Sequence, residues 1–162
     1  MSRCITYCKF GGAKLYWRQI ERKDKVISSQ IHEGNGLIRQ RGFFKESSKL
    51  PINFSIWELD PGVSEGNHSH GEQGPLEEIY YFLDGEGVMV VDGDRINVCV
   101  GDAIMVPPGV PHEILSTGNV PLKLAIIWAY TMPLPGIPSR TFRMITAEHT
   151  MNTGTLSTSW GI

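Results

Sequence analysis

An all-β chain folded as a single jelly-roll β-barrel is the architecture that three features of the sequence support. Short apolar runs rich in Val, Ile, Tyr, Phe and Trp recur at close, regular spacing; turn residues separate them; and no long amphipathic helical pattern interrupts them. The 18 Gly and 10 Pro among 162 residues supply the turn chemistry, and a chain of this length can bury a core without disulfide or metal staples. No internal repeat is visible, so one barrel is expected rather than two. A net charge of −2 without a basic block argues against nucleic acid or an anionic membrane as partner, and no apolar run approaches the roughly 20 residues that span a bilayer. The start, MSRCITYCKFGGAK, lacks the hydrophobic stretch of a secretory signal. Cys4, Cys8 and Cys99 are an odd number, so a reduced, cytoplasmic protein is expected. Cys4 and Cys8 have the spacing of half a zinc site, but no second pair completes it, and free thiols are the reading.

Taken in order, residues 1–25 form a leader that holds either a short helix over 15–22 or an edge strand. Residues 26–135 carry the barrel, and 136–162 a Pro-, Ser- and Thr-rich tail with a short helix over 146–151. Residues 26–31 and 36–44 read as strands joined at Glu33-Gly34-Asn35-Gly36, a hairpin that adds to a sheet edge. His32 beside that turn is read as a surface or hydrogen-bonded residue outside any site. Arg39 and Arg41 share a face of the second strand, as solvated edge charges or as a grip on a substrate carboxylate. Pro51 opens a strand over 52–59 with bulk on both faces. Residues 88–92 and 94–99 form a hairpin across Asp92-Gly93. A strand over 103–106 leads into the turn Pro107-Pro108-Gly109, which delivers His112 to the next strand, 112–116. The uninterrupted run 122–130 is a last buried strand.

The chemistry concentrates in 61–87, PGVSEGNHSHGEQGPLEEIYYFLDGEG. Strand side chains alternate between faces, so His68 and His70 can reach one ion while Ser69 points away. Downstream, 78–83 is rich in β-favouring residues and runs into the turn Asp84-Gly85-Glu86-Gly87. A carboxylate at the head of that strand would add a third ligand.

Gly62, five residues, His68-x-His70, then Glu78, six residues and Gly85 resemble the first motif of the cupin superfamily, G-x5-H-x-H-x3,4-E-x6-G. Gly101, Pro107, Gly109 and His112 match the second, G-x5-P-x-G-x2-H-x3-N, with Ser116 where the family has Asn. Seven residues rather than three or four separate His70 from Glu78; this insertion, 71–77, is turn-like and is expected to loop out at the barrel mouth. The resemblance spans 62–116. It implies a small β-barrel holding one divalent transition metal on His68, His70, Glu78 and His112. Glu78, not Glu77, has the six-residue gap to Gly85 and shares parity with Tyr80 and Phe82, which leaves Glu77 on the opposite face.

Three imidazoles and a carboxylate suit Fe2+, which is favoured, and also Mn2+, Ni2+, Zn2+ or Cu2+. Four protein ligands leave one or two octahedral positions for water or substrate. Parity then assigns the pocket walls: Tyr80 and Phe82 with Glu78, Ile114 with His112, and Trp128 with Leu124 and Ile126 from the last strand, or its alternate set. Tyr80 has two readings of equal weight: a catalytic hydroxyl that bonds a metal-bound ligand or moves a proton, or barrel packing. The expected function is that of a metal-dependent enzyme on a small organic molecule. A dioxygenase leads, a lyase, isomerase or decarboxylase without O2 stands second, and a non-enzymatic small-molecule binding barrel third. A homodimer through the hairpin 26–44, burying Ile38, Phe43 and Phe44, is also expected.

Overall fold

The fold is that of a computed structural model, which describes residues 9–10, 13–14, 16–71 and 75–131. The expected tail at 136–162 with its helix, and Cys4 and Cys8, lie outside the described residues. A six-stranded antiparallel sheet runs in the order β10 (Ala103–Val106), β7 (Leu76–Asp84), β12 (Leu122–Tyr130), β5 (Asn53–Leu59), β4 (Ile38–Gly42) and β3 (Ile27–Ser29). A four-stranded antiparallel sheet runs β6 (Ser64–His68), β11 (His112–Ser116), β8 (Glu86–Val91) and β9 (Asp94–Cys99). The leader adds a small hairpin, β1 (Lys9–Phe10) with β2 (Ala13–Lys14), and a 3-10 turn at Glu21–Lys23 in place of the short helix.

The two sheets close on one core, to which Trp57, Tyr80, Phe82, Leu124 and Ile126 come from the larger sheet and Met89, Val98 and Ile114 from the smaller. Each such side chain contributes on the order of 1.5–3 kcal/mol by leaving water. This is the jelly-roll arrangement that the strand spacing predicts, and the choice left open on the last strand resolves to Leu124 and Ile126 inward, both fully buried. Asp92 (φ 52°) and Gly93 (φ 87°) both adopt the left-handed conformation that a tight hairpin turn demands, which sets the register of β8 on β9.

The N-terminal hairpin sits at the sheet edge as expected, β3 on β4 and β4 on β5. Its connection differs from a tight Asn-Gly turn. Residues 30–37 form a wide loop that crosses to β6, the edge strand of the other sheet, and pairs with it: Ser64 N donates to Asn35 O (2.9 Å) and Gly66 N to Ile31 O (3.1 Å). The approach is close enough to require glycine on both sides, since a Cβ on Gly66 would lie 1.7 Å from His32 O and one on Gly34 2.1 Å from Ser64 O. Two further expectations are corrected. Ile38 is wholly buried in its own core, so a partner subunit cannot bury it, while Phe43 and Phe44 are half-buried. The insertion is shorter than 71–77, because Leu76 and Glu77 already belong to β7.

Candidate metal centre

On β6 an irregularity decides which side chains reach the site. His112 of β11 faces His68, but Ile114 faces Glu65 rather than Gly66, so β6 carries one extra residue between them. Such a bulge reverses the alternation of faces. Glu65 and His68, three apart and of opposite parity, therefore both point inward, and Glu65 is 1% exposed. Parity alone misses Glu65. The signal that could have found it is Gly66, a lone glycine inside a strand pattern, which often marks a bulge.

The four expected ligands come together. Donor atoms of His68, His70, Glu78 and His112 all lie within 4.8 Å of one another, close to the roughly 3–4 Å between ligand atoms that bond lengths of about 2.0–2.2 Å around one ion produce. Turn Pro107-Pro108-Gly109 fastens His70 to the second motif, because Gly109 N donates to His70 O (2.8 Å). His68 Nδ1 lies 3.0 Å from Gly66 O and His112 Nδ1 3.0 Å from Val110 O. A carbonyl only accepts, so both rings carry hydrogen on Nδ1 and turn Nε2 toward the centre. The Nε2 atoms of His68 and His70 are buried without a hydrogen-bond partner. Glu78 Oε2 stands 2.7 Å from His112 Nε2 and 3.5 Å from His70 Nε2. With Nδ1 already donating, the His112–Glu78 contact needs a proton, on the ring or on the carboxyl, or a metal ion between them. Unpartnered imidazole nitrogens converging on a buried carboxylate fit a divalent metal.

Charge states follow the same geometry. Burial pushes His68 down to about 4, which leaves its ring neutral at pH 7. For Glu78 burial works against the charge, yet the His112 hydrogen bond and the surrounding imidazoles outweigh it and hold the carboxyl below its usual range. For His112 burial likewise opposes the charge, but the bond to Glu78 wins and raises it. Glu65 is pushed up to about 8, first by burial and then by the Glu78 charge. Tyr80, fully buried, has its hydroxyl 3.2 Å from Glu78 Oε2 and 3.3 Å from Glu65 Oε2. One hydroxyl hydrogen can serve one carboxylate at a time. Burial, then the two carboxylates, raise Tyr80 well above its ordinary value, so it remains a phenol.

These shifts predict the pH dependence of the protein stripped of metal. Glu65, raised, stabilises the fold below about 4.5 and loses that contribution as pH climbs to about 8. His112, also raised, acts with the same sign, whereas His68, lowered, adds stability as pH rises from about 4 to 6.5. Above pH 6.5 only the falling contributions remain. Thermal melts between pH 6.5 and 8 should therefore show the melting point dropping, and dropping less in Glu65→Gln; an equal drop in both proteins would exclude Glu65 as its source.

His32, read from sequence as a surface or hydrogen-bonded residue outside any site, is exposed but stands beside the centre. The loop that crosses β6 stacks its ring on His68 with centroids 3.6 Å apart, and its Nε2 is 3.8 Å from Glu65 Oε1. His32, Glu65 and His68 form a second group of converging donors. Because His68 Nδ1 is committed to Gly66 O, its single free nitrogen serves only one ion at a time.

A cavity of 480 Å³ opens above the centre, with Glu65, His70 and Glu78 in its lining beside Trp57, Leu76 and Trp128. Of the expected walls, Trp128 lines it. Phe82 and Ile114 face inward as parity predicts, but both are fully buried and pack beneath the site. Arg39 and Arg41 do not line it. They lie on the other face of β4 from Gln40, Arg39 bound to Asp60 through two nitrogens (2.5 and 2.9 Å) and to Glu58, and Arg41 to Glu58 at 3.1 Å. Glu77 is on the opposite face of β7 from Glu78, as expected. Glu78→Gln should lower metal affinity by at least about 10–100-fold, while Glu77→Gln should leave it within about twofold; equal losses by metal titration would mean that strand parity does not select the ligand.

Comparison with known proteins agrees with this geometry. The Cupin domain family matches residues 55–130. An uncharacterised protein of Methanocaldococcus jannaschii is 52% identical over 48 residues, 30% of this chain and 38% of that one. The oxalate-binding protein of Thermotoga maritima is 41% identical over 75 residues, 46% of this chain and 60% of that one. This chain thus spans less than two thirds of either curated relative. A crystal structure of a predicted oxalate decarboxylase from Thermotoga maritima superposes with a TM-score of 0.61 at 28% identity, over 66% of this chain and 93% of that one. Two antiparallel sheets closed on one core, both histidine motifs at one centre and these matches together identify residues 55–130 as a cupin domain.

Proposed function

We propose that the protein is a metal-dependent enzyme that binds a small organic acid or enol at one divalent ion on His68, His70, Glu78 and His112. The carrying observation is the pair of buried, unpartnered Nε2 atoms on His68 and His70 beside Glu78, with His70 and Glu78 in the lining of an open cavity. A divalent ion held there would supply Lewis acidity and, if it is iron, chemistry with O2. The chain's own residues do the rest. Trp57, Trp128 and Leu76 exclude water and favour an apolar body on the substrate, while Glu65 and His32 offer groups that can exchange a proton beside it. Tyr80, buried beneath both carboxylates, orients Glu78 and Glu65.

Oxygen-dependent cleavage is the leading reading, because the aromatic lining suits a chelating substrate larger than a simple diacid. Decarboxylation without O2 is the second, favoured by the oxalate-related relatives. Iron-loaded and manganese-loaded protein should be offered phenylpyruvate, an enolisable aromatic acid, and oxalate, with O2 uptake and CO2 release recorded together. Substrate loss matched by O2 uptake supports the first reading, and CO2 release under anaerobic conditions supports the second. Turnover of either probe by metal-stripped protein would defeat both.

A further inference from the structure

A second cavity, of 140 Å³, adjoins the first, and the two share Gln40, Trp57 and Trp128. Cross-strand register gives its direction. Glu78 on β7 faces Trp128 on β12, Trp128 faces Asn53 on β5, and Ser55 on β5 faces Gly42 on β4. Asn53, Ser55 and Gly42 line the second cavity. Strands lie about 4.8 Å apart, so β4 is three steps, about 14 Å, from the strand that carries Glu78. The two cavities therefore form one path across the inner face of the larger sheet, from the metal ligands toward its edge, with two indole rings along it.

Charge is distributed unevenly along this path. Among the described residues no Lys or Arg lines the metal cavity, and Arg39 and Arg41 are neutralised on the opposite face. Lys45 lines the second cavity and makes no ion pair among the described residues. A cation at the far end, indoles in the middle and ligands for a metal at the near end specify a ligand with three parts.

We infer that the substrate extends beyond the metal cavity: a chelating acid or enol head at the ion, a flat apolar body along Trp57 and Trp128, and an anionic group at the far end facing Lys45. This rests on the metal-dependent reading above, and the test separates the two. Hydroxamates share one chelating head, so acetohydroxamate, benzohydroxamate and para-carboxybenzohydroxamate report head, body and far anion in turn. Calorimetric titration of the metal-loaded full chain should show affinity rising about tenfold with the ring, which leaves water against the indoles. The carboxylate should add about fivefold more, the scale of one solvent-accessible ion pair. Lys45→Met should erase only the carboxylate step, with metal content unchanged, and Trp128→Leu should shrink the ring step. If acetohydroxamate does not bind the loaded protein, the metal reading falls and this inference with it. If acetohydroxamate binds but the ring adds nothing, or if the carboxylate step is missing or survives Lys45→Met, the extended substrate is overturned while the metal reading stands.

Discussion

His70→Ala is expected to release the metal while leaving the barrel intact. His70 lies just past the end of β6, its side chain is 24% exposed, and its Nε2 makes no hydrogen bond within the protein. Its structural tie is through the backbone carbonyl, which accepts from Gly109 N and survives the substitution. Truncation thus removes a coordinate bond that no neighbour replaces and costs little packing. Metal affinity should fall by more than about 100-fold, beyond what losing a supporting residue around a metal site does, while the stability of metal-stripped protein should change by no more than about 1 kcal/mol, the centre of the range for point substitutions. Elemental analysis that finds stoichiometric metal in purified His70→Ala would remove His70 from the site. Loss of the fold together with the metal would instead assign it a packing role.

Gly66→Ala is expected to be among the most destabilising single-methyl additions in the barrel. The new Cβ would stand 1.7 Å from His32 O and 2.8 Å from Gly34 N, both backbone atoms that no rotamer change can move away. The loop 30–37 must lift off β6, breaking the Gly66 N to Ile31 O hydrogen bond and drawing His32 away from His68. Overpacking of this kind costs about 1–3 kcal/mol or more, which corresponds to a fall of roughly 5–15 °C in melting point for a domain of this size. Gly71→Ala is the control, since nothing lies within 4 Å of its added methyl and its backbone is not left-handed. A Gly66→Ala protein that melts with the wild type would show that the loop does not seat on β6 as described.

Much of the fold was legible because period and punctuation carry it. Runs such as 122–130 and the pair 88–92 and 94–99 across Asp92-Gly93 declare strands and turns through interactions a few residues long, and the structure places β12, β8 and β9 there. Part of the candidate ligand set was legible for the same reason, since His68-x-His70 and the parity of Glu78 with Tyr80 are local spacings, whereas His112 entered through the resemblance to the second cupin motif. Glu65 was not, because one extra residue in β6 reverses parity, and that extra residue exists only relative to its partner β11. Of the two readings of Arg39 and Arg41, the substrate grip loses support for a related reason. Alternation tells which residues share a face, but the face that meets the core is chosen by the opposing sheet.

The sequence by itself determined the all-β class and the turn positions, because each depends on near neighbours along the chain, and its resemblance to the cupin motifs pointed to the four residues able to share one ion. Only the tertiary structure decided that His32 stacks on His68, that Glu65 and Glu78 share the Tyr80 hydroxyl, and that the metal cavity continues past Trp57 and Trp128 toward Lys45. Apart from the Tyr80–Glu78 bond, those contacts join residues 15 to 83 positions apart, and no local pattern encodes a meeting that depends on how two sheets and a crossing loop pack together.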